Sequence, residues 1–133
     1  LIVLKNEKVL LCCTRNKSYG PPKGSTELNE TLIQTAIREV KEEVNIDINI
    51  NLISNIDKPI LINYVTKMNS TYKKVYLFIK HINDISEIGI NSEILPKNML
   101  QINEIRWAGF VDKQIANTIM HKRYKKLINN ILN

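Results

Sequence analysis

Apolar positions change period several times along the chain, and each change predicts an element. Residues 1–4 and 9–13 are apolar or β-branched runs flanking polar Lys5-Asn6-Glu7-Lys8, which predicts a β-hairpin. A polar connection over 14–18 leads to Tyr19-Gly20-Pro21-Pro22-Lys23-Gly24, where two prolines between glycines predict a rigid loop without regular structure. The period then becomes helical. Ile33, Ala36, Ile37, Val40 and Val44 form one apolar face, and Thr31 with Gln34 has the spacing of a capping box at the helix start. Residues 47–56 alternate Ile and Leu with Asn and Asp, predicting a strand, and Pro59 marks a break. Strands are predicted over 60–66 and 74–82, joined by a polar turn, with a loop-like stretch over 83–97. A further strand over 102–110 holds the only tryptophan, Trp107. Ala116, Ile119, Met120, Tyr124, Leu127, Ile128 and Ile131 then recur at helical spacing, predicting an amphipathic final helix. Strand and helix signals that alternate in this way predict an α/β or α+β layered fold. The 133 residues are expected to form one domain, 1–133.

Composition adds limits rather than chemistry. No apolar run approaches ~18 residues, so no membrane-spanning helix is expected. Cys12 and Cys13 are adjacent, which suits neither a disulfide framework nor zinc-ligand spacing. They read as small fillers of an apolar strand in a reducing compartment, and with no secretory signal over the first residues a cytoplasmic location is expected. The net charge of +6 points to an anionic partner or to a merely soluble basic surface.

The predicted helix carries the candidate chemistry. Glu39, Glu42 and Glu43 lie three and four residues apart and so share one face. Glu39 and Glu43 are like charges at i,i+4, unfavourable by ~0.2–0.5 kcal/mol. Glu42 and Glu43 also sit near the helix C-terminus, where the dipole disfavours anions. Arg38 offsets part of this by pairing with Glu42 at i,i+4. A hard divalent cation would offset the rest, because Mg²⁺ favours carboxylate oxygens and completes its shell with water and substrate phosphates. A solvated charged face is the alternative.

Reading outward, Gly24, five residues, Glu30, seven residues, then Arg38-Glu39-Val40-x-Glu42-Glu43 form a fixed register. This resembles the Nudix box: G, five residues, E, seven residues, R-E-apolar-x-E-E-x-G-apolar. The one departure is Asn45 at the second glycine position, and Asn is the best non-glycine residue for a left-handed helix end. The resemblance implies the Nudix fold, a mixed sheet between helices, over almost the whole chain. Family members carry a little more strand before this point, so residues are expected to precede Leu1.

The resemblance also implies roles. Glu39, Glu42 and Glu43 match the metal-binding glutamates, with the Gly24 carbonyl as a further ligand and Mg²⁺ or Mn²⁺ as the ion. Arg38 matches the residue that orients a glutamate, and Glu30 matches an auxiliary group behind the ligands. The implied reaction is attack of water on a phosphorus of a nucleoside diphosphate linked to another moiety. Relatives differ in their general base. In decapping and diadenosine tetraphosphate hydrolases a glutamate often lies six residues before the residue matching Trp107. Here that position is Gln101, which accepts no proton at neutral pH; Glu104 lies nearby but offset by three residues, and one of the box glutamates is the other candidate base.

Substrate choice rests on patches. Pro22-Lys23-Gly24 resembles the P-K-G of the same two groups more than the P-G-G of diphosphoinositol polyphosphate hydrolases. Asn63-Tyr64-Val65, Lys73 and Arg106-Trp107 resemble the diadenosine tetraphosphate enzymes, in which a tyrosine stacks on a base and a lysine holds phosphate. Lys23, Tyr64 and Lys73 are therefore the expected substrate contacts, with a core aromatic and a turn lysine as the plain alternatives for Tyr64 and Lys73. Lys122, Arg123, Lys125 and Lys126 make the final segment basic, either as a solvated face or as a track for RNA. The expected activity is hydrolysis of a dinucleoside polyphosphate. Cap hydrolysis, diphosphoinositol polyphosphate hydrolysis and a silent nucleotide- or RNA-binding module stand as alternatives.

Overall fold

The computed structural model describes residues 1–66, 68 and 70–124. Strands β1 (Ile2–Lys5) and β2 (Lys8–Thr14) form the predicted hairpin, paired at Leu4↔Val9 and Lys5↔Lys8. Asn6, at φ 53°, takes the left-handed conformation its tight turn requires. Strand β2 is the spine of the sheet. Strand β7 (Ile105–Asp112) runs antiparallel along one edge over its whole length. The other edge is shared between β1 and the short β3 (Tyr19–Gly20), which pairs with Cys12 and Cys13. The loop expected over 19–24 thus begins as strand and becomes irregular only from Pro21.

Strand β6 (Ile79–Ile82) pairs in parallel with β1, making the sheet mixed. Strands β4 (Ile60–Val65) and β5 (Tyr72–Leu77) form a separate antiparallel ribbon. The strand expected over 74–82 is therefore divided at Phe78. Asn55 sits at the break: its side-chain amide donates to the Leu77 carbonyl at 3.1 Å and accepts from the Ile79 N–H at 2.7 Å.

The strand predicted over 47–56 is absent. Its alternation has another cause: Ile46, Ile48 and Ile53 dip into the core from an irregular segment, and Asn49 caps a short 3-10 turn, Ile50–Leu52. Polar residues between buried isoleucines imitate strand period without a neighbouring strand to pair with.

Alternation along the strands divides the core into two layers. Val3, Leu10, Cys12, Ala108 and Phe110 face helix α1 (Leu32–Val44), meeting Ala36, Val40 and Val44. Ile2, Leu4, Val9, Leu11 and Val111 face the opposite way, toward Ala116 of helix α2 (Lys113–Ile119), Met120 and Tyr124. This is the expected mixed sheet between helices.

The final helix is interrupted where its periodicity suggests continuity, with helical residues resuming at 122–124. Helix α2 ends at Ile119, and Met120 is extended (φ −64°, ψ 151°) and bridges to Tyr19. His121 N–H donates to the Tyr19 carbonyl at 3.1 Å, so the chain turns back toward β3. Lys125, Lys126, Leu127, Ile128 and Ile131 lie outside the described residues. No helix among the described residues is long and apolar enough to cross a membrane.

Candidate active site

Helix α1 starts as its sequence predicts. Thr31 Oγ1 accepts from the Gln34 N–H at 3.3 Å, and Gln34 Oε1 accepts from the Thr31 N–H at 2.9 Å. It ends at Asn45 with φ 58° and ψ 38°, the left-handed conformation expected at this departure from glycine.

Between these ends Arg38 organises the acidic residues. Its Nε donates to Glu30 Oε2 at 2.7 Å and its Nη2 to Glu30 Oε1 at 3.0 Å, a two-pronged pair. Its Nη1 donates to Glu39 Oε1 at 2.9 Å and to Glu42 Oε2 at 3.0 Å, and Nη2 also reaches the Ser25 carbonyl at 2.8 Å. Glu30 is saturated further by the Thr35 hydroxyl at 2.7 Å and the Glu27 N–H at 3.0 Å. Arg38, above all, then the Glu27 N–H and Thr35, hold the Glu30 carboxyl down at about 2. Glu30 thus acts behind the other glutamates, fixing the arginine that fixes them.

The three helix glutamates do not share one environment, which corrects the picture of a uniformly solvated or uniformly open acidic face. Glu39 and Glu43 are buried, at 8% and 5% exposure, while Glu42 is exposed. Burial, then the charge of Glu39, pushes the Glu43 carboxyl up to about 8, against the Lys23 backbone N–H that donates to it. A Cβ on Gly24 would overlap the Glu39 carboxylate, so only glycine lets the loop backbone lie against that side chain. No ready-made group of three or more acidic, His or Cys ligands occurs among the described residues, and Glu39 and Glu42 both accept from Arg38 Nη1. The donor set nevertheless fits a hard divalent cation: two buried carboxylates that repel one another, an adjacent backbone approach at Gly24, and a third carboxylate one turn away on the helix.

Two clefts flank this centre and share Lys23. The larger, about 580 Å³, is walled by Glu43, Glu104, Tyr19, His121, Arg123 and Tyr124 among others. The smaller, about 410 Å³, is walled by Gly24, Thr35, Tyr64, Lys73, Lys74 and Tyr76 among others. The structure therefore brings Lys23, Tyr64 and Lys73 into one cleft and places Glu104 with Glu43 in the other. Gln101 is spent elsewhere: its Oε1 accepts from the Asn103 N–H at 2.9 Å, and its own N–H donates to the Glu43 carbonyl at 2.9 Å.

Sequence reasoning missed most of the larger cleft. Arg15, His121 and Tyr124 converge there on Tyr19 from distant segments, and the broken final helix brings the last two back. Arg123 appeared in sequence only as one member of a basic run. In the structure its guanidinium lies 3.9 Å from the centre of the Tyr64 ring. Tyr124 is buried, and burial pushes its pKa up to about 12 against the lowering influence of neighbouring Arg123. Gly20 admits that ring, since a Cβ there would come 3.0 Å from Tyr124 Cε2.

Comparison with known proteins agrees with this architecture. The profile of the NUDIX domain matches residues 1–110. A search of curated protein sequences finds no significant match. Similar solved structures include a binary complex of Ap4A hydrolase from C. elegans (20% identity, 96% of this chain and 88% of that chain covered, TM-score 0.71). Dihydroneopterin triphosphate pyrophosphohydrolase from E. coli is similar at 17% identity, covering 98% and 90%, with TM-score 0.70. A MutT NUDIX hydrolase from Burkholderia pseudomallei is similar at 12% identity, covering 98% and 92%, with TM-score 0.74. At these identities the structures speak for the fold, and the likeness to decapping enzymes still rests on the Pro22-Lys23-Gly24 patch. With the box in register, the layered sheet in place and the profile matched over most of its length, the chain belongs to the NUDIX family and is an enzyme of the pyrophosphohydrolase type.

Proposed function

We propose that the protein hydrolyses a phosphoanhydride bond in a nucleoside polyphosphate that carries a bulky group at each end, a dinucleoside polyphosphate such as diadenosine tetraphosphate. The observation that carries this reading is the pair of clefts meeting at Lys23, with Glu43 in the wall of one and Gly24 in the wall of the other. A chain of phosphates crossing at Lys23 leaves one end in the cleft of Tyr64 and Lys73 and the other in the cleft of Tyr19, His121 and Tyr124. A substrate with one nucleoside would fill only one of them. The Ap4A hydrolase among the similar structures is consistent with this choice.

Gly24, Glu39, Glu42 and Glu43 are the proposed ligands of Mg²⁺ or Mn²⁺, which when bound supplies charge neutralisation on the phosphate oxygens. Arg38 holds Glu39 and Glu42 in place, and Glu30 holds Arg38. Lys23 and Lys73 contribute point charges to the phosphate chain. Glu104, in the same cleft as Glu43, is the proposed base. It takes a proton from the attacking water as the new P–O bond forms, and the P–O bond to the departing phosphate breaks.

Turnover of a panel tests the reading: diadenosine polyphosphates, nucleoside triphosphates, dihydroneopterin triphosphate, capped RNA, nucleotide sugars, NADH and diphosphoinositol phosphates, with products identified by mass. The diadenosine compounds should lead. Binding without turnover of any compound in Mg²⁺ would instead favour a silent binding module.

A further inference from the structure

We infer that Arg123 is a substrate-phosphate ligand held ready by Tyr64 and His121, so that on this face Tyr64 is a platform for a guanidinium rather than for a base. The inference rests on the two-cleft reading above. Arg123 stands where the two clefts adjoin: it walls the larger one, and the ring beneath it walls the smaller. At 3.9 Å from the ring centre its guanidinium occupies the π-face of Tyr64 that a base would need. From the other side His121 orients it, with Nδ1 accepting the Arg123 Nε–H at 3.0 Å and the Arg123 backbone N–H at 3.3 Å. Nδ1 in that role must be unprotonated. The lowered pKa of His121, from partial desolvation and then the charges of Arg123 and Lys122, keeps it so.

Arg123 differs from several oriented cations among the described residues, which close on carboxylates. Lys5 and Lys8 close on Glu93, Lys41 on Asp47, and Arg38 on its glutamates. Arg123 makes no ion pair with a carboxylate among the described residues, yet it is fixed on two sides, by the Tyr64 ring and by His121. A planar fork fixed in this way, in a cleft shared with Lys23, suits the oxygens of a phosphate chain passing from one cleft to the other. Tyr64 and His121 are then positioning residues.

The test is a double-mutant cycle in steady-state hydrolysis of diadenosine tetraphosphate, with thermal denaturation confirming that each variant is folded. Arg123→Gln should raise KM about tenfold or more, the scale of a lost charge-assisted hydrogen bond, with kcat changed far less. Arg123→Lys should fall between, keeping the charge but losing the fork. Tyr64→Phe, which keeps the π-face, should raise KM much less than Tyr64→Leu does. Tyr64→Leu should raise KM alone but add little in the Arg123→Gln background, since its effect passes through the arginine. An unchanged KM in Arg123→Gln overturns the inference, and so does a full additional loss from Tyr64→Leu in that background, which is the signature of a base stacked on the ring. If the wild type turns over no dinucleoside polyphosphate, the functional reading fails separately. Calorimetric binding of inorganic tripolyphosphate then decides: about tenfold weaker binding by Arg123→Gln sustains the inference, and equal binding, or none by wild type, overturns it.

Discussion

Gly24 and Asn45 bracket the acidic helix, and each answers to a different constraint. At Gly24 the constraint is space, because a methyl group would overlap the Glu39 carboxylate. Gly24→Ala should leave a folded protein whose kcat falls roughly 100-fold, the scale of a misplacement near 1 Å at a reacting centre. Circular dichroism and steady-state kinetics together check this. At Asn45 the constraint is conformation, with φ 58°. Asn45→Gly should be neutral or slightly stabilising, while Asn45→Val should cost about 1–2 kcal/mol in chemical denaturation. Both residues were legible in sequence because the box fixes their register. What sequence could not show is that Glu39 and Glu43 are buried while Glu42 is not. A spacing of three and four residues gives a shared helix face, but only the loop over 21–24 lying against that face decides which carboxylates lose water.

At the scale of the element, helix α1 is held at its start by a capping box and along its side by Arg38. Thr31→Ala removes the side-chain acceptor of the cap and should cost about 1 kcal/mol, read as a lower denaturation midpoint. The Arg38–Glu30 pair predicts a pH dependence with a definite sign. The Glu30 carboxyl is held at about 2 in the folded state against an ordinary value of 4.5. Its contribution to stability is therefore fully present above ~4.5 and is lost as pH falls toward about 2. The stability gap between wild type and Glu30→Gln should narrow over that window and stay constant above it. A gap that widens on acidification would contradict the assignment. Element prediction failed where periodicity was borrowed. The isoleucines of 46–53 alternate because they are core residues of an irregular segment, and the final helix breaks because Met120 joins Tyr19 instead of continuing α2.

At the scale of the molecule, the layered sheet was legible because strands β1 and β2 are short continuous apolar runs, as expected of strands buried on both faces between two cores. The larger cleft was not, because its walls come from residues as far apart as Arg15 and Tyr124, with no motif linking them. The basic run at the chain's end likewise resolves differently from its sequence reading. Arg123 faces Tyr64 inside the cleft, so a change confined to exposed Lys122 should leave hydrolysis of a small dinucleotide unaltered. Kinetics of Lys122→Ala on diadenosine tetraphosphate check this, and a large rise in KM would place the exposed lysine in the substrate path.

The central claim is that two clefts joined at Lys23 serve one substrate with a group at each end of its phosphates. The most direct measurement is kcat/KM for diadenosine tetraphosphate against ATP with Mg²⁺, under one set of conditions and with products identified by mass. The account predicts that the two-ended compound exceeds ATP by at least about tenfold, since the second nucleoside adds contacts in a second cleft. It also predicts that Glu43→Gln removes turnover of both. Equal values for the two compounds, or a preference for ATP, would contradict it.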